Sequence, residues 1–367
     1  MRYESIKDPG VSISIKFAGL MVSNTTASSS WTENNRFPGD NGTVNSRDVL
    51  YNFSRYRMDN IGILPPHDHA ALFTGFTLAD RTGSPATLGT SYLGSACSDW
   101  SASVIEQRYD ASSIHIAAHE LGHSLGPDHD GVAGGASCPS SDFHLMAATL
   151  PGQQHENKSM NSWEFSRCSI ESLKTFFTDL DRKGQNCLLN QPPDNPSLTG
   201  VGLRQPGLSL SADEQCSLSL QADSAVCRET YAGEWDTLCY RMRCHSEGME
   251  ECRPIAPLDG TPCGRNKRCM KSRCVWSPNT WNMPDGCPLG DDPLVNCAES
   301  SCKNATERVR CCQTCSMTTD TTVDSVLRAS DFTTKPFIPA GELTPENDSN
   351  TAMKELSGTA MPGGKIK

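Results

Sequence analysis

Residues 119–130 read HELGHSLGPDHD. His119 and His123 stand four apart, so on a helix both imidazoles project from one face towards a shared point. Glu120 sits beside the first of them, placed to reach a water without binding the metal. Gly126 stops the helix in a backbone conformation that glycine tolerates best, and the turn brings His129 back as a third nitrogen. Three protein ligands leave one position open for water, which separates a catalytic zinc from a structural one. The chemistry such a set can do is hydrolysis through a zinc-activated water. Glu120 would act as general base and would pass the proton on to a leaving amine. The bland alternative is a chance pattern on a structural helix, and the fixed positions beyond HExxH make that rare. The other histidines, His67, His69, His115, His144, His155 and His245, read as surface or packed side chains.

Elements must hold these groups in place. Residues 113–126 form a helix opened by serines and closed by glycine. Residues 11–17 alternate cleanly, with Val11, Ile13, Ile15 and Phe17 on one side, the period of a strand with one buried face. Residues 46–58 read as an amphipathic helix capped by Asn45 or Ser46. Short strands follow at 70–74, 88–93 and 102–106. Ile170, Leu173, Phe176, Phe177 and Leu180 mark a second amphipathic helix that ends before Gly184. Strands mixed with helices over residues 1–190 give an α/β (α+β) catalytic domain with a mixed twisted sheet.

Beyond it the composition changes. A proline-rich linker spans 191–207, and cysteine-rich modules occupy 208–276 and 277–315. A tail at 316–367, rich in Thr, Ser, Pro and Asp, reads as disordered. Of the 18 cysteines, Cys97, Cys138, Cys168 and Cys187 are spread over the first half and fourteen crowd between Cys216 and Cys315. Sparse cysteines suit a domain held by its core, and dense ones suit small modules stapled by disulfides. Both counts are even, so complete pairing is open, although the first four alone allow three pairings. Structural zinc modules are the competing reading of the cysteines, but no repeated C-x-x-C pair has the spacing for them. Sequons at Asn24, Asn41, Asn52, Asn157, Asn304 and Asn347 join the cysteines in indicating the secretory route. MRYESIKDPG carries no apolar signal-peptide core, and no run is apolar for long enough to span a membrane. A net charge of -11 argues against nucleic acid.

The motif resembles the metzincin signature, and Asp130 after the third histidine is similar to the adamalysin (reprolysin) branch. The resemblance implies a Met-turn beneath the zinc, matched by His144-Leu145-Met146-Ala147, with Met146 as its support. Asp68-His69-Ala70-Ala71-Leu72 resembles the family's HD-x-A-x-L strand. Thr87-Leu88-Gly89-Thr90-Ser91-Tyr92 resembles its TLG-x-A-Y segment. That likeness implies that Thr87, Leu88, Gly89 and Thr90 belong to an edge strand on which extended peptides add one more strand. It also implies the disulfides Cys97–Cys187 and Cys138–Cys168. A calcium ion at Asp68, the Cys187 carbonyl and Asn190 is implied likewise. Asp259-Gly260-Thr261-Pro262-Cys263-Gly264, with Cys269 and Cys274, looks like the disintegrin-like and cysteine-rich region of the ADAMTS proteins. The last six cysteines resemble a PLAC or ShK-type module.

Family members place a strand and a long helix, and before them a prodomain, ahead of the segment seen here at Val11. The sequence therefore resembles a member truncated at its N-terminus, and the calcium site would lack an early Glu. The resulting expectation is a secreted zinc endopeptidase acting on extracellular proteins or peptides, with matrix contacts through its cysteine-rich modules and no membrane span. The alternative is a catalytically impaired ADAMTS-like protein that acts as an extracellular binding module.

Overall fold

The computed structural model describes residues 3, 6, 8, 10–40, 42–85, 87–132, 137–150, 157–190, 205–231, 234–246, 248, 251–278, 283–284, 286–317 and 355–359. In the first half, a short helix α1 (Ser30–Glu33) and strand β1 (Thr43–Asn45) lead into helix α2 (Ser46–Asp59). Asn45 caps α2, its side chain accepting from the backbone N–H of Arg47 and Asp48. Strands β2 (Ala70–Thr74), β3 (Thr77–Ala79), β4 (Thr87–Tyr92) and β5 (Ala102–Glu106) follow, then helices α3 (Ala111–Ser124) and α4 (Arg167–Lys183). α4 ends at Gly184 in the left-handed conformation, with basic Arg182 and Lys183 in its last turn.

The main sheet is mixed. β5 runs parallel to β2 and antiparallel to β4, while β1 and β3 form a separate parallel pair. Every residue of β5 is buried, because helices cover both of its faces. On one face Val104 and Ala102 pack with Val49, Leu50 and Phe53 of α2. On the other, Ile105 and Leu88 meet Ile116 of α3. A third cluster lies beneath α3, where Leu145, Met146, Phe165 and Leu173 pack with Tyr3.

Residues 11–17 do not form the expected strand. Val11 makes one isolated bridge to Asp8, and Ile15 and Phe17 are 37% and 48% exposed. A strand needs a ladder partner for its backbone groups. Among the described residues this segment has none, so its alternation has no sheet to act on.

The second half contains α5 (Ala212–Ser219), β6 (Ala225–Val226), β7 (Met242–His245) and β8 (Arg253–Ile255), then β9 (Pro262–Gly264), β10 (Lys267–Met270) and β11 (Arg273–Trp276). These make two small antiparallel sheets, β6-β7-β8 and β9-β10-β11. α6 (Ala305–Arg310) and α7 (Cys312–Met317) complete the disulfide-rich part. All 18 cysteines pair, the first four as Cys97–Cys187 and Cys138–Cys168. The fully buried Arg228 ties the two cysteine-rich parts together. Its guanidinium donates to both carboxylate oxygens of Asp213 and to the carbonyls of Leu289 and Gly290.

Most of the 191–207 linker and of the 316–367 tail lies outside the described residues. The exception in the tail is β12 (Glu355–Thr359), which pairs in parallel with β4. That pairing extends the sheet to the order β12-β4-β5-β2.

Candidate metal centre

The three histidines come together. α3 starts at Asp110, whose side chain accepts from Ser112 N–H, so the cap is Asp110 and not one of the serines that follow. Its last carbonyls are satisfied by the loop after β4, with Gly94 N–H bonded to His123 and Ala96 N–H to Ser124. Gly126 then takes φ +110°, and a Cβ there would lie 2.8 Å from Phe176 Cβ. That turn returns His129 to the helix face.

His129 Nε2 lies 3.2 Å from Nε2 of His119 and 3.2 Å from Nε2 of His123. The far nitrogens of the two helical rings face backbone carbonyls, His119 Nδ1 at 2.7 Å from Leu145 O and His123 Nδ1 at 2.9 Å from Pro127 O. A carbonyl can only accept, so Nδ1 carries the proton in each and Nε2 presents a bare lone pair. Burial, with the neighbouring imidazoles adding to it, depresses the pKa of His119 well below the ordinary histidine value. Burial likewise takes His123 down to about 4. The lone pairs of His119 and His123 thus both face His129 Nε2, an arrangement suited to holding one shared cation. Their spacing matches the roughly 3.3 Å edge of a tetrahedron built on Zn–N bonds of about 2.0–2.1 Å. The donor set therefore fits zinc. The carbonyl partners supply the outer-shell support that fixes tautomer and ring orientation.

Glu120 is wholly buried beside this set. Its Oε2 accepts from Ser91 Oγ at 2.7 Å, and its Oε1 has no protein partner. Burial holds this carboxyl well above the usual range, and the Ser91 bond works against that shift. Gly89 makes the slot: a Cβ there would sit 2.7 Å from Oε1.

Met146 is fully buried under the helix, and its sulfur would lie 2.5 Å from a Cβ on Gly122. Asp130 N–H bonds to Met146 O at 2.9 Å, locking the turn after His129 to the Met146 turn. Asp130 Oδ1 accepts from Ser166 and Ser169, the two serines at the start of α4. Burial still raises the Asp130 pKa.

Other expected residues fare differently. Thr87, Leu88, Gly89 and Thr90 lie in β4, yet β4 is paired on both sides, by β5 and by β12, and is not a free edge here. Cys187 opens a 3-10 turn that ends before Asn190, and Asp68 is exposed ahead of β2. Among the described residues, Asp68 belongs to no cluster of three metal-ligand side chains. Two further clusters of that kind contain cysteines already in disulfides. His69 bridges Ser101 and Ser103 through its two nitrogens, and His115 Nδ1 lies 3.1 Å from Ser162 O, so both are packed, not ligating. His155 lies outside the described residues. Sequence reasoning did not single out Ser91, although its departure from alanine in the TLG-x-A-Y pattern was visible.

Comparison with known proteins agrees with this geometry. Residues 26–192 match the reprolysin (M12B) family of zinc metalloproteases, and residues 206–275 match the ADAMTS cysteine-rich domain 2. "A disintegrin and metalloproteinase with thrombospondin motifs 13" of Mus musculus is 34% identical over 223 residues, covering 57% of this chain and 15% of that protein. The similarly titled protein 19 of Mus musculus is 29% identical over 228 residues, 62% of this chain and 17% of that protein. "A disintegrin and metalloproteinase with thrombospondin motifs like" of Bombyx mori is 28% identical over 296 residues, 75% of this chain and 39% of that protein. The chain thus spans less than a fifth of the length of the two mouse relatives. By its two matched domains and these relatives, the chain is similar to the ADAMTS-like zinc metalloproteases, with a reprolysin-family domain over residues 26–192.

Proposed function

We propose that the chain is a secreted zinc endopeptidase that cleaves extracellular proteins, with Glu120 as base and His119, His123 and His129 as metal ligands. The observation that carries the reading is the convergence of three Nε2 nitrogens beside a buried carboxyl with one unpartnered oxygen. Zinc bound there would supply a Lewis acid that acidifies water and polarises a carbonyl. Glu120 Oε1 would take the proton of the attacking water and hand it to the departing amine. Asp130, Met146 and Gly126 keep the ligand-bearing turns in register. An extended substrate would lie along Thr87, Leu88, Gly89 and Thr90 in the place that β12 holds.

Nine disulfides suit an oxidising compartment. Sequon residues Asn24, Asn157 and Asn304 are exposed, which suits glycosylation. We assign residues 1–190 to catalysis, 191–207 to a linker, and 208–276 and 277–315 to modules that contact matrix or substrate. Calcium at Asp68, Cys187 and Asn190 gains no support from the geometry. One observation favours the alternative of an impaired protease serving as a binding module: β12 covers the edge a substrate would need. Among the described residues no helix is long and apolar enough to cross a membrane.

The test is peptide cleavage by the purified chain with and without a zinc chelator, beside Glu120→Ala. The chelator should abolish turnover by removing the Lewis acid, and Glu120→Ala should cut it by several orders of magnitude, since base and proton shuttle vanish together in that variant. Equal turnover in variant and parent would sink the mechanism.

A further inference from the structure

Ser91 is the penultimate residue of β4, with its side chain fully buried under α3, and its hydroxyl donates to Glu120 Oε2 at 2.7 Å. A serine hydroxyl has one proton to give, and here it goes to the carboxylate. The two carboxylate oxygens are thereby made unequal. Oε2 is tied to the strand, whereas Oε1 has no protein partner and lies in the slot that Gly89 leaves by lacking a side chain. A carboxylate on a two-carbon stem would otherwise be free to rotate about its last bond. Both anchors, the helix that carries Glu120 and the strand that carries Ser91, are rigid elements of the core. Ser91 is also the register partner of Ser103 on β5, and Ser103 is bonded to His69, so the polar groups beneath the helix form a supported strip.

We propose that Ser91 is a positioning residue for the peptidase reaction, its hydroxyl clamping Glu120 so that Oε1 alone exchanges the proton. The inference rests on the reading of Glu120 as the base. The Ser91 hydroxyl acts through Glu120. The TLG-x-A-Y segment that this strand resembles has alanine at the same place. Ser91→Ala therefore removes the bond while leaving a side chain that the strand should accept.

The test uses the full zinc-loaded chain with Ser91→Ala, Glu120→Ala and the double variant. Three quantities are measured on each: peptide-cleavage kinetics, zinc content with Tm, and affinity for a peptide hydroxamate. A hydrogen bond to a charged group typically contributes enough that kcat should fall about tenfold in Ser91→Ala, with KM changing by less than about twofold. Zinc content and Tm should stay at parent values. Hydroxamate affinity should weaken several-fold in Ser91→Ala, yet Ser91→Ala should have no effect when Glu120 is already alanine. Unchanged kcat would overturn the proposal. So would a loss of kcat matched by loss of zinc or of Tm, because the serine would then be merely structural. Should the parent cleave no peptide at all, the peptidase reading falls, and the hydroxamate coupling alone decides. Additive effects of the two substitutions on that affinity would overturn the clamp.

Discussion

His69 shows how a single packed side chain sets a pH response away from the metal centre. It is held between Ser101 and Ser103, and burial, with the charge of Arg57 and the neighbouring His67 adding to it, takes its pKa down to about 3. In the unfolded chain the same group titrates near 6.5. The folded state thus prefers the neutral ring. Its contribution is fully present above about pH 6.5 and is progressively lost as pH falls towards the folded value. His69→Gln should therefore lower Tm at neutral pH while flattening the decline between about pH 6.5 and pH 4. Thermal melts across that range check this, and parallel slopes for variant and parent would refute it. Glu120 is perturbed in the opposite direction by the same cause, since burial disfavours whichever form carries the charge.

Among the elements, α3 concentrates the dependencies. Asp110 caps it by accepting from Ser112 N–H, and its other oxygen accepts from Ala256 N–H, while Ala111 N–H bonds to Ala256 O. The start of the ligand-bearing helix is thus shared with the end of β8 in the cysteine-rich part. Asp110→Ala should cost about 1–2 kcal/mol from the lost cap, and more from the unpaired Ala256 N–H. A calorimetric unfolding scan reads that loss, and an unchanged Tm would mean that water replaces both bonds. At the other end, Gly126→Ala meets a positive φ and the Phe176 side chain together. It should destabilise by more than about 1 kcal/mol and lower zinc occupancy, because His129 rides on that turn. Retained zinc stoichiometry in that variant would separate the turn from the ligand.

At the scale of the molecule, β12 lies along β4, the strand on which the proposed substrate would add. Parallel pairing runs from Glu355 opposite Thr87 to Thr359 opposite Tyr92, with an irregularity between Glu355 and Ser357. Added strands of this kind gain their affinity from main-chain hydrogen bonds, and a substrate strand would compete for the same row. Ending the chain after Met317 should therefore raise kcat/KM several-fold, chiefly through KM. Ser357→Pro, which introduces a residue poorly suited to a strand, should act in the same direction. Peptide kinetics on the shortened chain decide between the endopeptidase reading and the binding-module alternative. No gain on shortening would mean that β12 is no barrier. The disulfide-rich half is fastened independently, through Arg228 on Asp213 and on the loop at Leu289 and Gly290.

The local chemistry was legible in the sequence because it depends on short spacings. A four-residue interval on a helix puts His119 and His123 on one face whatever surrounds them. Glycine at 126 and aspartate at 130 carry their conformational demands with them. The amphipathic helices at α2 and α4 and the strands at β2, β4 and β5 were legible for the same reason, since period and capping are properties of neighbours in the chain. Pairing is not. Alternation at residues 11–17 states which side chains would face a core, but no sheet partner exists for it among the described residues. Strand β12 is the reverse case, a tail segment without a strong periodic signal that pairs with β4. The bond from Ser91 to Glu120 joins residues 29 apart, and its existence depends on how α3 lies across the sheet. The sequence by itself determined which atoms could hold a metal and move a proton. The tertiary structure alone decided which oxygen of Glu120 is left without a protein partner and what covers the strand beside it, because both depend on contacts between segments whose separation along the chain sets no distance in space.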